Sequence, residues 1–156
     1  MGYTTDFEGQ FNFDKPLDDD TYNLLEGISS TRRMKRKGLD PKYGVDGEFY
    51  YNPESNAFGQ EDDASVVNHN TPPRTQPGLW CQWVPTPDRL HLEWDYNEKF
   101  QEYIKWLEYL IEKIIAPRGY VLNGEVEWQG EDSRDIGKIV VKDNVVSTRE
   151  GKVIFN

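Results

Sequence analysis

Residues 3–13 alternate in chemistry. Tyr3, Thr5, Phe7, Phe11 and Phe13 fall on one side with Gly9 among them; Thr4, Asp6, Glu8, Gln10 and Asn12 fall on the other. A period of two over this length predicts a strand with one buried and one wet face. Asp18, Asp19 and Asp20 then precede Tyr22, Leu24, Leu25 and Ile28, and Arg32, Arg33, Lys35 and Arg36 follow. Acids at the start and bases at the end suit the helix dipole, so the pattern predicts a helix over 18–36, weakened at Gly27 and stopped at Gly38.

Glu48–Tyr51 predicts a short aromatic strand, and 52–78, rich in Pro, Asn, Asp and Gln, a long loop. Leu79–Val84 and Leu90–Trp94 predict two strands joined by a proline-containing turn. Phe100, Tyr103, Ile104, Leu107, Leu110, Ile111, Ile114 and Ile115 recur at helical spacing and predict a helix over 97–116, capped by Asp95 or Asn97 and ended by Pro117 and Gly119. Trp106 lies on the flank of that stripe and Tyr109 on its far side. Tyr120–Trp128, Ile136–Val141, and either Val145–Thr148 or Val153–Phe155 complete the set.

The order β-α-β-β-β-α-β-β-β, with hairpin links dominating, predicts one α+β domain over 1–156. Its architecture is a two-layer sandwich, a mostly antiparallel sheet with two helices on one face. The other face is then open and carries the polar positions of each strand. Asp6, Glu8, His91, Glu93, Glu125 and Glu127 collect there as a candidate acidic binding face.

Charge sharpens this picture. The chain has 28 acidic and 18 basic residues, a net charge of −10. Such a surface repels nucleic-acid backbones and favours basic partners. The basic run Arg32–Lys37 is read as dipole compensation paired with the chain's own acids rather than as a phosphate contact. No leader and no apolar run long enough to cross a bilayer is read in the sequence, so the expected location is the cytoplasm.

The single Cys81 excludes an intrachain disulfide. A Cys81–His91 thiol dyad would need both on one side, and a small buried thiol is the commoner case. Glu131, Asp132 and Asp135 around the 130–135 turn are weak candidates for a hard cation, read in preference as a polar turn. No cofactor fingerprint appears. Trp80 and Trp83 are sent to opposite faces by alternation, one to the core and one toward solvent. Trp80, Trp83, Trp106 and Tyr109 are the aromatic binding candidates, with Trp106 and Tyr109 also offering a self-association face.

The segments Met1–Phe7, Arg32–Arg36, Leu79–Pro85 and Gly124–Asp132 resemble a family of small uncharacterised bacterial and bacteriophage proteins. That resemblance implies a stand-alone α/β protein in a phage setting and assigns no activity. The leading functional expectation is a non-enzymatic inhibitor or binding protein. It would be a phage counter-defence factor whose carboxylates mimic nucleic acid before a basic host defence protein. The alternative is a small hydrolase or ligand-binding enzyme using Glu93, Glu125, Glu127 or Glu131 beneath the 52–78 loop.

Overall fold

The computed structural model describes residues 3–54 and 63–152. Strand β1 spans Thr5–Phe13, and helix α1 spans Asp19–Ser30. Two short strands follow, β2 at Lys35–Arg36 and β3 at Val66–Asn68. Then come β4 at Trp83–Pro85, β5 at His91–Trp94, helix α2 at Tyr103–Leu110, and β6, β7 and β8 at Leu122–Gly130, Ile136–Lys142 and Val145–Glu150. Among the described residues the main sheet runs β4-β5-β1-β6-β7-β8, and β2 pairs with β3 apart from it. Every pairing is antiparallel. The fold is α+β, with both helices on one face of the sheet, as the periodicities predict.

The first strand lies inside the sheet rather than at its edge. Its partner on one side is β5 and on the other β6, with Phe7 opposite Trp128 and Phe11 opposite Gly124. Phe7, Phe11, Leu122, Val126, Ile139 and Val141 turn their side chains into a core completed by Leu25 and Ile28 of α1 and Leu107 and Leu110 of α2. Aromatic edges fill the centre: the Trp83 ring meets Phe7, Phe11 and Phe100 at 5.4, 5.5 and 5.3 Å. Gly9 and Gly124 take φ of +111° and +134° on neighbouring strands. A Cβ at Gly9 would come within 2.9 Å of the Glu125 carbonyl oxygen, so this close approach requires glycine.

Several sequence expectations are corrected. Helix α1 begins as predicted, with the Asp18 carboxylate accepting from Thr21 N at 2.7 Å. It ends at Ser30, however, and Thr31 is already extended. The basic run is therefore not at a helix end, and dipole compensation does not explain it. Instead Arg33 is buried and donates to the carbonyls of Gly47, Glu48 and Tyr50 and to Gln76 Oε1. Burial pushes its guanidinium down to about 10, which leaves it charged at neutral pH. Arg36 pairs with Asp63 at 3.3 Å, in keeping with the expected pairing to the chain's own acids. Gly27 is there for space rather than as a weak point: a Cβ would fall 2.3 Å from the Tyr51 ring.

Glu48–Tyr51 forms no strand; 3-10 turns at Pro41–Tyr43 and Val45–Gly47 lead into it. The predicted 52–78 loop contains β3, and residues 55–62 lie outside the described part. The predicted 97–116 helix starts only at Tyr103, because Lys99 and Glu102 adopt left-handed φ of 62° and 58°. Asp95 caps a turn, accepting from Asn97 N, and not the helix. A π-helical turn, Ile111–Ile115, carries α2 to the expected stop near Pro117 and Gly119. The Val153–Phe155 alternative for the last strand lies outside the described residues.

Candidate interaction face

Strand parity sets what the uncovered side of the sheet displays. Side chains alternate, and residues opposite one another in register share a face. The pairs Glu8–Glu127, Gln10–Glu125 and Asp6–Gln129 across β1 and β6 place Asp6, Glu8, Glu125 and Glu127 together. On the other flank Gln10 Nε2 donates to Glu93 Oε1 at 2.6 Å, and His91 Nδ1 lies 2.7 Å from Asn12 Oδ1. The six residues predicted to share the open face thus do share it. Among the described residues, Asp6, Glu8 and Glu127 make no hydrogen bond or ion pair through their side chains.

The bases of this face were not read from the sequence. Glu127 is opposite Lys138, and Lys138 is opposite Arg149. Parity adds Lys142. Carboxylates therefore occupy β5, β1 and β6, while cations occupy β7 and β8. Lys138 Nζ reaches Glu125 at 3.5 Å, so one acid of the face is partly neutralised from within. The signal was available in the alternation of Ile136–Lys142, but Arg149 fell outside the predicted last strand, which stopped at Thr148.

A cavity of about 580 Å³ opens on this face, with Asp6, Glu8 and Glu127 on one side and Lys138 and Arg149 on the other. Its floor includes Gln129 and Ile136. No described residue of the 52–78 loop lines it. That loop turns the opposite way, where Thr75 and Gln76 bond Glu48 and Arg33. The cover required for an enzyme site beneath the loop is not supplied by its described residues.

The turn acids have structural duties. Asp135 accepts from Tyr3 OH at 2.8 Å and from Trp128 Nε1 at 3.0 Å, and Glu131 accepts from Thr4 N at 2.7 Å. Asp132 accepts from Arg134 N, and that bond is the largest influence holding its carboxyl below the usual range. Among the described residues no group of three or more His, Cys, Asp and Glu side chains is placed to hold a metal ion. Glu131, Asp132 and Asp135 instead tie the β6–β7 turn to the start of the chain.

Three of the four aromatic candidates are buried and are withdrawn as binding residues. Trp106 is fully buried and Tyr109 is 5% exposed, so neither offers a self-association face. The far side of α2 is not free: Glu48 and Gln76 bond Tyr109, and Gly78 lies against the Trp106 ring. Tyr109 OH donates to Glu48 Oε1 at 2.8 Å and accepts from Gln76 Nε2. Burial is the main cause of the large rise in its hydroxyl pKa. Trp83 is also core, while Trp80 remains 40% exposed. Cys81 is buried, its thiol pushed up to about 12 mainly by burial, whereas His91 sits on the open face. They form no dyad.

No family model, curated protein or solved structure matches the chain. No helix among the described residues is long and apolar enough to cross a membrane.

Like charges directly opposite on a sheet destabilise it, so the Glu8–Glu127 pair has a measurable signature. Glu8→Lys converts repulsion into attraction and is expected to raise stability by roughly 0.2–1 kcal/mol. Urea unfolding measures it; an unchanged or lowered midpoint would show that the two carboxylates do not repel.

Proposed function

We propose that this chain is a non-enzymatic binding protein that engages a basic protein surface through the acidic half of its open sheet face. The observation carrying this reading is that Asp6, Glu8 and Glu127 stand together, exposed and unpartnered among the described residues, on a side of the sheet that no helix covers. Exposed carboxylates spaced by strand geometry, about 4.8 Å across strands and about 6.7 Å along them, form a regular anionic array. Such an array suits a surface that otherwise neutralises phosphates, and it repels nucleic acid itself. The partner class is accordingly a nucleic-acid-binding protein; a host defence protein, blocked by a phage inhibitor, is the specific form suggested by the motif resemblance.

The test is displacement of a labelled DNA duplex from host nucleases and defence complexes at low and moderate salt. The wild-type chain should displace the duplex, less effectively as salt rises. The triple variant Asp6→Asn, Glu8→Gln, Glu127→Gln should lose about tenfold or more in potency, or about 1.4 kcal/mol. Displacement from none of them, or equal potency of wild type and variant, would refute charge mimicry. No specific observation favours the hydrolase reading.

A further inference from the structure

One cross-strand row on the open face has an unusual order. Glu8 of β1, Glu127 of β6, Lys138 of β7 and Arg149 of β8 stand directly opposite one another in sequence across four adjacent strands. The row reads acid, acid, base, base. An alternating order would pair every charge with its neighbour, whereas this one opposes like charges twice and pairs opposites only at its middle. Even there Lys138 turns to Glu125 instead. Glu8 and Glu127 at one end, and Arg149 at the other, have no side-chain partner among the described residues. All four line the same cavity of about 580 Å³, together with Asp6.

The row also sets a range of lengths. Backbone to backbone, Arg149 stands two strand spacings from Glu127, roughly 9.5 Å, and three from Glu8, roughly 14 Å. Two charged side chains on one polypeptide segment fall within that range, such as residues two helical turns apart at about 10.5 Å.

We infer that this row reads the polarity of its partner: it binds a polypeptide segment that presents a basic side chain to Glu8 and Glu127 and an acidic one to Arg149. This rests on the binding reading above and deepens it, since a uniformly basic segment would leave Arg149 opposed by a like charge. A second copy of this chain is the less suitable occupant. It would add another net charge of −10 and more carboxylates than bases to the interface.

Helical peptides serve as rulers. One carries two lysines and, two turns on, two glutamates; a second has the glutamates replaced by glutamine; the third probe is oligolysine. Fluorescence anisotropy should show the first peptide binding about tenfold tighter than the second, the factor supplied by about 1.4 kcal/mol. Arg149→Gln, at an exposed edge-strand position, should abolish that preference without weakening oligolysine. The inference is overturned if the two helical peptides bind wild type equally, or if Arg149→Gln leaves the preference intact. It is also overturned if light scattering shows a dimer that Arg149→Gln dissociates, which assigns the row to a second copy. Failure of the underlying reading looks different: oligolysine then binds neither wild type nor Arg149→Gln, or binds the triple neutralised variant equally well.

Discussion

Arg33→Ala should destabilise the protein by roughly 3–5 kcal/mol, a large fraction of the 5–15 kcal/mol that holds a typical domain together. The side chain is 2% exposed, and its guanidinium serves three backbone carbonyls and one amide oxygen. Removing it eliminates a costly buried charge, but it also leaves the Tyr50 carbonyl and Gln76 Oε1 without a donor among the described residues, at about 1–3 kcal/mol each; the Gly47 and Glu48 carbonyls keep Tyr50 N and Gln76 Nε2. The second effect wins because both acceptors lie where residues 47–50 meet the buried Gln76, a junction that the Arg33 guanidinium joins. Urea unfolding gives the magnitude, and amide exchange gives the location. Protection should fall first in residues 44–50 and 75–79, while β1 and β6 keep theirs. An unchanged midpoint would show that water replaces the guanidinium without loss.

A loss of similar size is expected from Trp83→Ala, about 3–5 kcal/mol. This ring is fully buried, edges against Phe7, Phe11 and Phe100, and donates Nε1–H to the Tyr103 carbonyl at 2.9 Å. It therefore joins β4, β1 and the first residue of α2 at one point. Trp83→Phe should recover most of the loss, since it keeps a ring and gives up the bond to Tyr103. Trp80→Ala, by contrast, should change stability by about 0.5 kcal/mol or less, as exposed positions usually do. Equal effects at the two tryptophans, measured by chemical unfolding, would contradict the placement of only one in the core.

The elements that the chain announced best are those with one wet and one dry side. Residues 5–13 and 122–130 read as strands because their alternation is a direct record of the two faces. The same alternation groups Asp6, Glu8, Glu93, Glu125 and Glu127 on one face. Arg33 was not legible, because a basic run looks the same whether it faces water or a cage of carbonyls. Trp106 and Tyr109 were misread because an apolar stripe reports only the face turned to the main core. The second cover over α2 comes from Glu48, Gln76 and Gly78, distant in sequence and without periodicity. Lys99 and Glu102 take left-handed conformations that their identities do not request, which hid the true start of α2. Arg149 was missed through a strand boundary, and with it the half of the open face that carries positive charge.

The placement of β1 between β5 and β6 has a consequence for how the molecule forms. Its ladder with β6 joins residues more than a hundred positions apart, from Thr5 with Gly130 to Phe13 with Leu122. Closing so large a loop takes entropy before any contact rewards it, so the rate of assembly should be limited by the arrival of this strand. During synthesis Phe7, Phe11 and Phe13 must wait, with both edges of the strand open until the β5 segment has left the ribosome and one edge open until β6 follows. For that interval the acid-bearing side of the same strand is its protection. Asp6 and Glu8 discourage two nascent chains from zipping together.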